Sequence, residues 1–253
     1  MGLDEQTTPA SGYTDWKGWG AAHFGTLSRG DADYFSRETR ESVRPGSVPE
    51  VLEIGFGPGV FLSYCRSRGW NVTGTELLPE LVELARDAGY SAFQAEQLDA
   101  LPDSSFDLIA AFDVFEHISP ERGVAFLTAL ASKLKDDGTI LLRYPNADTW
   151  IGNPFQNGDV THVNAIGALK MEYYAGESGL RIVRMRATRR RGFRTSVIHG
   201  LHKYTAGILI KIVAGISKAM YFPDVRVVLS SSNVVTILRK QSNRATGDHR
   251  RGC

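Results

Sequence analysis

One stretch limits the fold of this chain more than any other. The apolar run Val51-Leu52-Glu53-Ile54 passes directly into Gly55-Phe56-Gly57-Pro58-Gly59 and then into an amphipathic segment from Val60 to Arg68. A strand that leads through glycines into a helix points free backbone N–H groups and the positive end of the helix dipole at a ligand, and the glycines permit close approach. The alternation continues downstream. Asn71 to Thr75, Phe106 to Phe112 and Thr139 to Leu142 read as strands, and Pro79 to Ala88 and Pro120 to Leu134 as helices, the last with apolar Val124, Phe126, Leu127, Leu130 and Leu134. Gly138 reads as a turn into the Thr139 strand. A helix over Gly167 to Ser178 and strands over Leu180 to Thr188 and Asn233 to Leu238 complete the pattern. Short strands alternating with helices imply an α/β fold with a parallel sheet and helices on both faces.

At 253 residues and 42% hydrophobic, the chain suits one such domain with additions. Residues 1–48, with Tyr13, Trp16, Trp19, Phe24, Tyr34 and Phe35 among charges and glycines, read as a helical N-terminal extension. The domain proper is expected over 49–240, and 241–253 as a disordered basic tail. A formal net charge of +1 gives no overall field toward nucleic acid or an acidic partner. Cys65 and Cys253 support neither a disulfide framework nor a zinc cluster, which suits a reducing cytoplasm. Met1 to Ser11 lacks the basic and apolar regions of a secretory signal, and no apolar run reaches the roughly 18 residues of a membrane span.

Glu76, about twenty positions after the loop at the end of the second strand, is placed to accept hydrogen bonds from a ribose diol, so loop and acid together indicate an adenosine-type ligand. A pyrophosphate fingerprint needs GxGxxG, but here the third glycine comes one residue early. Glu53 would also repel a pyrophosphate, whereas it could order a loop that faces a cationic amino-acid tail.

At these residues the chain resembles the class I S-adenosylmethionine-dependent methyltransferases, whose first motif is an acidic residue leading a GxGxG loop, as in Glu53-Ile54-Gly55-Phe56-Gly57-Pro58-Gly59. The resemblance covers about residues 50 to 185. Phe106 to His117 is similar to the family's fourth-strand segment, which ends against the methionine part of the cofactor. Leu134 to Leu142 is similar to its fifth-strand motif, and Gln94-Ala95-Glu96-Gln97-Leu98 to the segment that meets the adenine, where either Glu96 or Gln97 could serve.

The resemblance implies a Rossmann-like, doubly wound, mostly parallel seven-stranded sheet with an antiparallel last strand and acceptor-side insertions at 145–165 and 192–228, the second a C-terminal helical one. It implies S-adenosyl-L-methionine as cofactor, held by Glu53, Gly55, Phe56, Gly57, Gly59, Glu76, Leu77, Glu96, Gln97, Asp113, Val114 and His117. Asp113 reads equally as a strand-end cap, and His117 as a helix-start residue before Ser119-Pro120.

Methyl transfer from a sulfonium is an in-line displacement, so the protein holds an acceptor against the methyl and, for a hydroxyl, removes a proton. Asp113-Val114-Phe115-Glu116 lacks the Asn/Asp-Pro-Pro-aromatic signature of base-methylating enzymes. Asp113 and Asn146 form only a partial set of metal ligands, and no metal is expected. The best general base is His162 in Asp159-Val160-Thr161-His162-Val163-Asn164, which lies where the resemblance puts the acceptor cover; the alternative is a histidine that fixes the loop. Tyr144 and Trp150 read as pocket lining or as core.

Arg181, Arg184, Arg186, Arg189, Arg190, Arg191 and Arg194 crowd together beside an amphipathic segment over 199–222, where Lys203, Lys211 and Lys218 share one face. One reading is a solvated basic face, with the helix packed on the core or on a second copy in a homodimer. The other is a phosphorylated or membrane-linked acceptor, with the helix on an anionic membrane surface. The expected activity is O-methylation of a small-molecule, glycan or lipid-linked acceptor in polysaccharide or lipid biosynthesis, by a cytoplasmic and membrane-peripheral protein with no nucleic-acid partner. The rivals are an RNA methyltransferase and a non-catalytic cofactor-binding partner subunit.

Overall fold

The computed structural model describes residues 17–19, 23–189 and 197–241, with side chains described outside 197–206. Tyr13, Trp16, Arg190, Arg191, Arg194, Cys253, the Lys203 side chain and nearly all of the predicted tail lie outside that description.

The seven strands are β1 (Glu50–Ile54), β2 (Asn71–Glu76), β3 (Ser91–Gln94), β4 (Phe106–Phe112), β5 (Leu134–Pro145), β6 (Leu180–Ala187) and β7 (Asn233–Lys240). They form one sheet in the order β3-β2-β1-β4-β5-β7-β6. The first five are parallel; β7 runs antiparallel to both β5 and β6 and lies between them. This is the doubly wound, mostly parallel sheet with a reversed last strand.

Burial on both faces explains why the central strands read as near-continuous apolar runs. Val51, Leu108 and Leu141 point to one side, where Phe35 of α1 (Arg29–Thr39) and Phe61, Tyr64 and Cys65 of α2 (Val60–Ser67) cover them. Their neighbours Leu52, Ile109, Ile140 and Leu142 point to the other side, under Phe126, Leu127 and Leu130 of α4 (Gly123–Lys133) and Met171 and Tyr174 of α6 (Ala168–Glu177). Leu81, Val82 and Ala85 of α3 (Pro79–Asp87) pack on Phe56, Leu62 and Ala92.

Three differences from the sequence reading have local causes. The predicted helix over Pro120 to Leu134 divides into a 3-10 turn at Pro120–Arg122 and α4, and Leu134 already belongs to β5. In β5, Leu134 pairs with Phe106 and Thr139 with Leu108, so Lys135-Asp136-Asp137-Gly138 bulges out of the strand rather than preceding it. The unpredicted β3 is only four residues long and runs into a 3-10 helix, Ala95–Ala100.

The 145–165 segment carries the short helix α5 (Asn153–Asn157), and the 192–228 segment carries α7 (Val197–Tyr221). Ile208, Leu209, Ile212, Val213, Ile216 and Met220 of α7 are all at least half exposed. Among the described residues no helix is long and apolar enough to cross a membrane.

Candidate active site

The loop after β1 carries Gly55 at φ +64° and Gly59 at φ +72°, in the left-handed region. A Cβ on Gly55 would lie 2.6 Å from Val114 Cγ2, and one on Gly59 2.6 Å from Phe24 Cζ, so close neighbours as well as backbone conformation require glycine. Glu76, at the end of β2, laces the loop down. Its Oε2 accepts from Gly57 N at 2.8 Å, and its Oε1 from Leu77 N at 2.8 Å and Leu78 N at 3.2 Å. Burial raises the Glu76 pKa, and these three donors oppose the shift. Behind the loop, Glu53 is buried and its Oε2 has no partner. Burial, and then the charge of Glu76, push its carboxyl well above the ordinary range.

At the end of β4, Asp113 adopts φ +57° and receives Arg143 of β5. Arg143 Nε donates to Oδ1 at 2.8 Å, Nη2 donates to Oδ2, and Nη1 donates to the Tyr34 hydroxyl at 2.7 Å. Burial works against the Arg143 charge, but Asp113 and Tyr34 outweigh it, so the guanidinium titrates above its usual range. Burial pushes the Tyr34 phenol up to about 12.

The 3-10 turn Phe115–His117 follows. The Glu116 carbonyl accepts from Val163 N and Asn164 N, both at 3.0 Å, and this docking brings His162 to Glu116. The Glu116 side chain is fully buried and neither carboxylate oxygen has a partner. Burial, and then Asp113, raise its carboxyl well above the ordinary range. His162 Nε2 lies 3.9 Å from Glu116 Oε1 and 3.8 Å from Asp159 Oδ2. The His162 and His117 rings meet edge to face at 4.6 Å. Burial, and then His162, hold the His117 pKa down to about 4. Burial acts against the Asp159 carboxylate, but hydrogen bonds from Lys17 and Thr161 prevail and hold it well below its usual range.

These groups line one cavity of about 860 Å³. Every predicted site residue borders it except Gly59, Glu96 and Gln97. Gly59 caps α2. Glu96 and Gln97 are exposed, and the Gln97 Oε1 accepts from Gln94 N at 3.0 Å, while Ala95 reaches the cavity. The sequence reading missed Tyr34, Glu116, Arg143, Asp159 and Lys17. A readable signal was Arg143, a charge set between Leu142 and Tyr144 in the buried Gly138–Pro145 half of β5.

Other expectations are corrected or completed. Tyr144 is core, its hydroxyl 2.7 Å from Thr236 Oγ1, whereas Trp150 is 81% exposed and borders no part of the cavity. Asn146 donates to the Val228 and Ser231 carbonyls, its Oδ1 accepts from Asp148 N at 3.1 Å, and it does not border the cavity, which removes it from any set with Asp113. Of the arginine cluster, Arg184, Arg186 and Arg189 pair with Glu38 of α1 or with Glu41 just beyond its end.

A family model described as a methyltransferase domain matches residues 29–185, more than half of the chain. The chain belongs to the class I S-adenosylmethionine-dependent methyltransferases. It is similar to a ubiquinone biosynthesis O-methyltransferase of Xanthomonas campestris, 34% identical over 106 residues, which covers 39% of this chain and 43% of that protein. The chain thus spans less than half the length of the curated relatives it matches. In fold it is similar to a SAM-dependent methyltransferase from Archaeoglobus fulgidus, with a TM-score of 0.61 at 19% identity over 84% of this chain and 95% of that one. An S-adenosylmethionine-dependent methyltransferase from Mesorhizobium loti aligns with a TM-score of 0.55 at 14% identity, over 83% and 98%. The residues present fit the family's cofactor: an unpartnered, buried carboxylate oxygen on Glu53 behind a glycine cradle suits a ligand that carries a sulfonium and an ammonium, and opposes a pyrophosphate.

Proposed function

We propose that this chain transfers a methyl group from S-adenosylmethionine to a hydroxyl oxygen of a small-molecule, glycan or lipid-linked acceptor. The observation that carries the reading is the meeting of His162 with Glu116 in the same cavity as the glycine loop. When bound, the cofactor supplies an electrophilic methyl carbon. Gly55, Phe56 and Gly57 cradle it, with Gly59 setting the loop's exit. Glu53 balances its positive charge, and Glu76 and Leu77 face its ribose. Asp113, Val114 and His117 would border its methionine part, and Ala95, which reaches the cavity, its adenine. The acceptor lies on the side of Glu116 and His162, and His162 receives the hydroxyl proton, with Asp159 beside its Nε2. The O-methyltransferase name of the Xanthomonas relative supports oxygen as the acceptor atom.

The exposed isoleucines of α7, with Lys211 also exposed, support a lipid-linked acceptor met by a cytoplasmic protein at the surface of an anionic membrane. Pairing of Arg184, Arg186 and Arg189 with glutamates weighs against an RNA acceptor. Titration calorimetry with S-adenosylmethionine and with NAD tests the cofactor; binding of NAD alone overturns the reading. Release of S-adenosylhomocysteine with a panel of phenols, catechols and glycolipids tests the activity. Its absence with every acceptor favours the non-catalytic partner.

A further inference from the structure

We infer that Glu116, His117 and His162 form a binding site for one divalent first-row transition ion on the acceptor side of the cavity. The inference rests on the hydroxyl-methylation reading and deepens it. One potential ligand atom from each residue lies within 4.8 Å of the others. Ligand bonds of about 2.1 Å place donor atoms up to about 4.2 Å apart around one ion, so a sub-ångström closure completes the set.

A second observation points independently to a ligand. Glu116 is fully buried, and neither carboxylate oxygen has a hydrogen-bond partner. Such a group is costly unless something positive or proton-donating meets it. Its facing group is the His162 ring, at 3.9 Å, too far for a hydrogen bond and suited to a shared ion. His162 Nδ1 is also buried without a partner.

The surroundings orient the ligands as outer partners of metal sites do. Thr161 Oγ1 donates to Asp159 Oδ1 at 2.6 Å and so can accept from His117 Nδ1, 2.9 Å away; the Thr161 carbonyl lies 3.2 Å from the same nitrogen. The proton of His117 therefore sits on Nδ1, and Nε2 keeps its lone pair for a ligand. Two imidazoles and one carboxylate with open positions suit manganese, iron, cobalt or zinc better than magnesium or calcium, which favour oxygen. A bound divalent ion lowers the pKa of a hydroxyl beside it. His162 thus serves as base in the ion-free site and as ligand in the loaded one, where the hydroxyl beside the ion loses its proton to solvent water.

The test uses the full chain stripped with a chelator, titrated calorimetrically with Zn²⁺ and, for the visible bands of a nitrogen- and oxygen-ligated ion, with Co²⁺. Expected are one ion per chain, loss of the bands in His162→Ala, and weakening of about tenfold or more in Glu116→Gln and in Thr161→Val, the last through the orientation of His117. Circular dichroism checks that each variant is folded, and Thr161→Val, which keeps all three ligands, carries the test if the others fail to fold. Absence of stoichiometric binding, or binding unchanged in all three variants, overturns the site. Methyl transfer that persists in chelator without ion binding sinks the metal and leaves the hydroxyl reading. Stoichiometric binding with no methyl transfer upholds the metal and sinks that reading.

Discussion

Arg143 holds Asp113 at two points, Nε to Oδ1 at 2.8 Å and Nη2 to Oδ2, and spends its third donor on Tyr34. The pair fixes a residue in the left-handed region at the mouth of the cavity and ties it to α1. Arg143→Leu is expected to lower stability by about 2 kcal/mol, less than a fully buried pair because Asp113 is half exposed, and to weaken S-adenosylmethionine binding. Arg143→Lys restores part of the stability but not the two-point grip. Urea denaturation and calorimetry of the variants read both effects.

Glu53 ties cofactor affinity to pH. Its folded pKa is raised, so its contribution to stability is present below the ordinary carboxylate range and is lost as pH rises through the folded value. A cationic ligand needs the ionised form, so S-adenosylmethionine affinity should rise with pH above the ordinary carboxylate range, as Glu53 ionises. Glu53→Gln should flatten that rise, weaken binding, and raise the melting temperature of the ligand-free protein at neutral pH. An unchanged pH profile in the variant would show that Glu53 does not face the cofactor's charge.

Gly55→Ala separates backbone from packing. The left-handed backbone costs a non-glycine residue about 1 kcal/mol, and the new methyl also meets Val114 Cγ2. Val114→Ala in the same chain should recover the part due to contact and leave the part due to φ. Denaturation midpoints of the single and double variants resolve the two.

Glu38 is fully buried beneath Arg186, with Nη1 donating at 2.6 Å. Glu38→Ala leaves that guanidinium with only Glu41, 3.6 Å from its Nε, and should cost about 3 kcal/mol, whereas adding Arg186→Met should recover most of the loss. Additive losses in the double variant would show that the two residues do not act as a pair.

The fold was legible wherever periodicity and glycine placement agreed. Val51 to Arg68 alone declares a strand, a ligand loop and a helix, and the apolar strands that follow repeat the unit. β3 escaped because four residues carry too little period, and the Lys135 to Gly138 bulge because a strand interrupted by charges reads as a turn. In the site, the glycine loop and Glu76 were visible because backbone conformation and ribose chemistry restrict residue type. Arg143, Tyr34 and Glu116 were not assigned, because their meaning lies in contacts across 109 residues of chain, as between Arg143 and Tyr34, or in an absence of contacts, as at Glu116.

The reversed strand β7 is the last to be synthesised, yet it sits inside the sheet, with β5 on one side and β6 on the other. While a ribosome is still adding residues before Asn233, β6 has no strand to pair with and β5 has an open edge. Closure of this half of the domain therefore waits until Asn233–Lys240 has been made, which leaves the nascent protein with a sticky edge that chaperones would be the first to meet.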